Sequence, residues 1–275
     1  MNKQEFLSKL DLNWAVEKQP IFLENQQEIE GNIALVRTDT GHVLNVASNK
    51  YKPIQNEVFW DVMQPLLESG SISNPTGGHF SSQKTFAQAS LDLKAEVVSG
   101  DEISGKFTLL NSHDGSIAFR AGLTPVRIYC QNTLMSVQNS MMGISIRHSA
   151  TSADKLMMLN ESIKIAAKSF DDSIEFYKHL ASRTISVEEL EIFIKTCLNL
   201  KTQDDGELST NASNKLAKVI DFFESGNGAN KASGTLWNAY NAVTEYTTHE
   251  LGQESSLFGQ GNAINERAIQ LLKAA

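Results

Sequence analysis

At 275 residues, with 41% hydrophobic and 20% charged side chains, the chain holds enough apolar material for one large or two closely packed domains and too much for global disorder. Its net charge of -8 excludes a protein that coats nucleic acid indiscriminately, because such binding rests on neutralising phosphates. No run reaches the roughly 18 apolar residues of a membrane span, and the start, MNKQEFLSKLDLNW, lacks the apolar core of a secretory signal, so a cytoplasmic protein without membrane contact is expected.

In chain order, NIALVRTDTGHVLNVAS alternates with period two and predicts a hairpin, with Asp39 to Gly41 at the turn. NEVFWDVMQPLLESG predicts a helix with Phe59, Met63 and Leu66 on one stripe, Gly70 as its stop and Pro65 as a candidate kink. Three strands of an antiparallel sheet are then expected in KTFAQASLDLKAEVV, DEISGKFTLLNSH and GSIAFRAGLTPVRIYC. From about residue 152 the period becomes helical. SADKLMMLNESIKIAAKSFDDSIEFYKHLA predicts a long amphipathic helix, and Ser186 with Glu189 forms a Ser-x-x-Glu capping box for the next. Three more helices fit NASNKLAKVIDFFES, GTLWNAYNAVTEYTTH and NAINERAIQLLKA, while KTQDDGELST and SGNGANKASG are polar enough to be exposed loops. The fold class is therefore α+β. An antiparallel β-sheet with flanking helices occupies residues 1–150, followed by a helical region over 151–275 packed on or beside it.

Charge is uneven along this layout. Residues 79–148 carry a formal balance of +1, which leaves -9 for the rest. The period-two phase turns Ala87, Ala89, Leu91 and Leu93 inward with Phe107 and Leu109. It turns Phe86, Gln88 and Lys106 outward. In the third strand the apolar phase slips at Thr124 and Pro125, as a bulge would make it do, and Arg120, Arg127 and Tyr129 then share the outer face. Basic side chains interleaved with aromatics suit single-stranded nucleic acid, cations meeting phosphates and rings stacking on bases. Phe86, Lys106, Arg120, Arg127, Tyr129 and Arg147 are the candidate nucleic-acid-binding residues. The alternative is that the helical half covers this face and that its polar groups are only an amphipathic lining.

The strand-to-helix junction Cys130–Thr133 offers little chemistry. Asn132 suits a helix cap, and Cys130 sits in an inward phase, where a thiol is inert. With Cys197 distant in sequence, two reduced structural thiols are expected. His79, His113, Asp114 and His148 have no metal-ligand spacing. No phosphate loop, nucleophile elbow or zinc-protease motif occurs, so no catalytic residue, metal or cofactor is implied.

LDLNWAVEKQPIF, ALVRTDTGHVLNVASNKYKPIQNEVFW, LLNSHDGSIAFRAGLTPVRIYCQNTL, ISIRHSATSADKL and GTLWNAYNAVTEYTTHE, in that order, resemble the phage/plasmid-like protein family, a domain of unknown function found in bacteriophages, plasmids and genomic islands. The resemblance covers residues 11–273. It singles out Asn56, Asn111, His113, Asp114, Asn132 and His148 as motif positions of unknown role, and it implies a mobile-element setting among replication and recombination functions. Two readings follow. One is a nucleic-acid-handling protein that binds or anneals single-stranded DNA as an oligomer. The other is a non-enzymatic interaction or scaffold protein for a host or phage partner, with the acidic helical half as the contact surface; Trp237, Tyr240 and Tyr246 on one of its helices are a candidate contact, the alternative being buried aromatic packing.

Overall fold

The computed structural model describes residues 1–127, 144–148, 162–203 and 206–274. It is an α+β protein with two antiparallel sheets and a mostly helical C-terminal part.

The chain opens with α1 (Lys3–Lys9), capped by Asn2 and Glu5. β1 (Val16–Phe22), β2 (Glu28–Arg37) and β3 (Val43–Ser48) then form a three-stranded sheet in that order. The hairpin between β2 and β3 forms as expected, and Gly41 takes the positive φ of 69° that its turn requires. α2 (Glu57–Glu68) buries the predicted stripe of Phe59, Met63 and Leu66, and Val62 with it.

A five-stranded sheet follows, ordered β4 (Ile72–Phe80), β5 (Lys84–Glu96), β6 (Glu102–Ser112), β7 (Phe119–Arg127) and β8 (Ile144–Ile146). β7 runs through Thr124 and Pro125 without a break, and every residue from Ala121 to Val126 is buried. β1 and β4 escape the sequence pattern because Pro20 in one, and Pro75, Gly77 and Gly78 in the other, read as breakers. Gly77 has a packing reason: a Cβ there would strike the Phe86 carbonyl on the paired strand.

Three outer strands are irregular. β1 loses register between Pro20 and Phe22, β3 holds one extra residue opposite the Leu35–Val36 step, and β4 holds one extra between Ser73 and Thr76. β8, the fourth, is three residues long.

The helices are α3 (Ser162–Ala181), α4 (Val187–Leu198), α5 (Thr210–Ser225), α6 (Leu236–Glu245), α7 (Gly252–Phe258) and α8 (Gln260–Ala274). Ser186 and Glu189 make the predicted box, the Glu189 N–H donating to Ser186 Oγ at 3.2 Å and the Ser186 N–H to Glu189 Oε2 at 2.9 Å. A π turn at Tyr246–Glu250 leads from α6 toward α7. SGNGANKASG is less exposed than its composition suggests, since it forms a 3₁₀ turn at Ala229–Lys231 with Gly228 and Ala229 buried. Among the described residues no helix is long and apolar enough to cross a membrane.

The chain divides into two compact units. The first comprises residues 1–92, 106–123 and 142–166; the second comprises 93–105, 124–141 and 167–275. In the first, Phe59 meets Phe119 at 5.8 Å and Phe6 meets Trp60 at 5.4 Å. In the second, α4, α5 and α8 pack on α6, and Trp237, Tyr240 and Tyr177 form a buried aromatic cluster.

Cys197 is a free, buried thiol on α4. Burial pushes its pKa up to about 12, with Arg267 acting weakly the other way, so the reactive thiolate is scarce. In a Cys130→Ser background, native protein at about pH 8 should react with a thiol reagent at least about 100-fold more slowly than unfolded protein. Equal rates would place Cys197 outside the core.

Candidate functional site

The most concentrated polar chemistry lies in the first unit, where the end of β6 meets the segment leading into α2. Asn56 occupies the N-cap position of α2 but makes no capping bond, because its amide is engaged elsewhere. Its Nδ2 donates to the Trp14 carbonyl at 3.1 Å, which leaves Oδ1 facing His113 Nε2 at 3.0 Å. That bond assigns the His113 proton to Nε2 and leaves Nδ1 as a bare acceptor. Asn111 Nδ2 donates to the Ile54 carbonyl at 2.9 Å, and the Ile54 N–H donates to His148 Nδ1 at 3.3 Å. The His148 proton is accordingly on Nε2.

Three buried atoms of this cluster, Asn111 Oδ1, His113 Nδ1 and His148 Nε2, make no hydrogen bond of good geometry among the described residues, although the Ile117 and Lys52 backbone lies near enough to His148 to favour its protonation. Asn111 and His113 are 0% exposed, a placement in which polar groups are normally satisfied. The set amounts to two acceptors and one donor. It is electrically neutral as well, since burial, aided by His148 and opposed by Asp114, lowers the His113 pKa to about 3, and burial also lowers that of His148. Buried water is the usual partner of such atoms. Among the described residues no three His, Cys, Asp or Glu side chains are placed to hold a metal ion.

Aromatic rings frame the cluster. Trp14 sets its edge against His113 at 5.4 Å and His79 at 5.9 Å, and Tyr51 stacks on His148 at 5.0 Å. Arg37 lies 4.5 Å over the Trp14 ring, its guanidinium donating to both Asp39 carboxylate oxygens at 2.7 and 2.9 Å and to Ser82 Oγ at 2.6 Å. Four of the six motif positions, Asn56, Asn111, His113 and His148, thus come together. Asp114 is adjacent and half-buried, and Asn132 lies outside the described residues. Sequence reasoning missed Trp14, whose only signal was a tryptophan two residues before a polar strand.

The predicted sheet face is only partly as expected. Lys106 and Arg120 are half-buried, alternating along their strands with the buried Phe107 and Phe119, and Arg147 is exposed after β8. Phe86 requires correction. It is 7% exposed and stacks on Phe80 at 5.4 Å, and Gln88 is equally buried, donating to Thr108 Oγ1 at 3.0 Å. β5 is an inner strand whose residues Thr85 to Ala89 are all buried, so alternation distinguishes its two faces without exposing either. Arg127 ends β7, and its side chain lies outside the described residues, as do Tyr129 and Cys130.

Residues 43–273 match the family described as "Domain of unknown function (DUF932)". The chain belongs to the DUF932 family. No curated protein and no solved structure matches it. The DUF932 match begins at β3, so Tyr51, Asn56, Asn111, His113 and His148 lie within it while Trp14 and Arg37 precede it.

Proposed function

We propose that this DUF932 protein handles nucleic acid for a phage or plasmid, binding single-stranded DNA or RNA in replication or recombination. One observation carries the reading. Lys106 and Arg120, on neighbouring strands of the five-stranded sheet, are half-buried and have no carboxylate partner among the described residues. Burial lowers the pKa of Lys106 with no compensating charge, a cost that an incoming phosphate oxygen offsets. Gln88 and Thr108, bonded to each other at 3.0 Å, are buried and take no part in such a contact. The +1 balance of residues 79–148 and the resemblance to the phage/plasmid-like family point the same way. Binding of this kind is weak and strongly salt-dependent, because few phosphates are neutralised. In the scaffold alternative Trp237, Tyr240 and Tyr246, on and beside α6, are buried packing rather than a contact, which leaves that reading the acidic helical surface alone.

Anisotropy of a labelled oligothymidylate tests the reading. The full chain should bind it at about 50 mM salt with micromolar affinity, and Lys106→Ala with Arg120→Ala should weaken binding at least about tenfold and reduce the salt slope by roughly 0.7 per lost contact. No binding at tens of micromolar protein, or an unchanged slope in the double variant, would count against it.

A further inference from the structure

The second unit carries a separate cationic cavity. Its volume is about 410 Å³, and its lining includes Lys201 beyond α4, Ser209, Asn211 and Lys215 from the start of α5, and Gln260 and Arg267 from α8. Among the described residues no carboxylate lines it. Residues 167–275 hold 15 acidic and 10 basic side chains, so three cations around one cavity run against the local composition. Lys178, Lys195 and Lys218 in the same stretch are each paired with a carboxylate. Lys201, Lys215 and Arg267 have no such partner among the described residues.

The polar lining reinforces the charge. Ser209 caps α5 by accepting the Ala212 N–H, and the N–H groups of Thr210 and Asn211 have no acceptor among the described residues. They add oriented donors at the positive end of a 16-residue helix. Asn211 and Gln260 supply amide donors at the rim.

We propose that this cavity binds a phosphate-bearing small molecule, a pyrophosphate or phosphate monoester rather than a nucleic-acid strand. Three cations and free helix N–H groups match a compact dianion or trianion. The volume holds one or two phosphate groups with a small organic part. A polymer needs a continuous basic track, and the acidic surroundings repel one. The site is independent of the Lys106 and Arg120 strip.

Calorimetric titration of the full chain with inorganic pyrophosphate, and separately with inorganic phosphate, at fixed ionic strength in chloride tests the assignment. Pyrophosphate should bind with one-to-one stoichiometry, and Lys201→Glu, at an exposed position where folding is not at stake, should weaken it at least about tenfold. Arg267→Lys should weaken it less, and Lys218→Ala, a lysine paired outside the cavity, should leave it unchanged. Absence of pyrophosphate binding, or equal affinity in Lys201→Glu, overturns the proposal. So does stoichiometric displacement of pyrophosphate by oligothymidylate, which would make the cavity part of a nucleic-acid track. The protein carrying Lys106→Ala and Arg120→Ala should keep full pyrophosphate affinity, so failure of the nucleic-acid reading is separable from failure of this one.

Discussion

Trp237→Ala should destabilise the helical unit by roughly 3–5 kcal/mol, the range for truncating a fully buried aromatic. The indole is 0% exposed, lies 4.8 Å from the Tyr177 ring and 6.0 Å from that of Tyr240, and donates through Nε1 to the buried Asp101 carboxylate at 2.8 Å. Trp237→Phe separates the two contributions. It keeps most of the apolar volume but removes the N–H, so its cost should be about 1–3 kcal/mol, the consequence of weakening a buried charge-assisted bond. Urea unfolding followed by circular dichroism measures both. A loss below about 1 kcal/mol for Trp237→Ala would mean that α6 is peripheral, and would return its aromatics to the surface role of the scaffold reading.

Acidification should destabilise the first unit before its carboxylates titrate. The ordinary imidazole pKa is 6.5, and burial brings His113 down to about 3 in the folded state. Below about pH 6.5 the unfolded chain therefore binds a proton that the folded chain refuses. Stability is fully present above that value and falls by roughly 1.4 kcal/mol per pH unit as pH drops toward the folded pKa. His148, also lowered by burial, acts in the same direction, whereas Asp114 opposes the shift of His113. Between pH 6.5 and 5 the loss from His113 alone is about 2 kcal/mol. His113→Gln keeps a donor toward Asn56 and removes the titration, so its stability should change with pH by about one proton less than wild type. Parallel pH profiles for the two proteins would show that His113 is not held neutral.

The local elements were legible where a single period dominates. The β2–β3 hairpin, the Phe59–Met63–Leu66 stripe and the Ser186–Glu189 box depend on residues within a turn or two of each other, and all three are present. β4 was not legible, because its strand character comes from pairing with β5 despite Pro75 and two glycines. Phe86 shows the same limit from another side: its phase along β5 follows from alternation, but what covers it depends on Phe80 and the neighbouring strands. Within the candidate site, Asn56, Asn111, His113 and His148 could be named individually from the family resemblance. Their convergence could not, since His148 is 94 residues from Ile54 and only folding makes them neighbours. Trp14 carried no local signal of its role.

The irregular outer strands bear on how copies of this chain can meet. A regular outer strand offers a row of unpaired N–H and C=O groups on which a second polypeptide can extend the sheet, the route to domain exchange and fibre growth. Here β1 breaks that row at Pro20, β3 and β4 each carry an extra residue that bends it, and β8 is too short to template another strand. Pro20 also removes a donor outright. Among the described residues, then, neither sheet offers a border along which polymerisation could run. Contacts between copies through these borders would rest on side chains rather than on a continued ladder of the kind that builds a cross-β fibre.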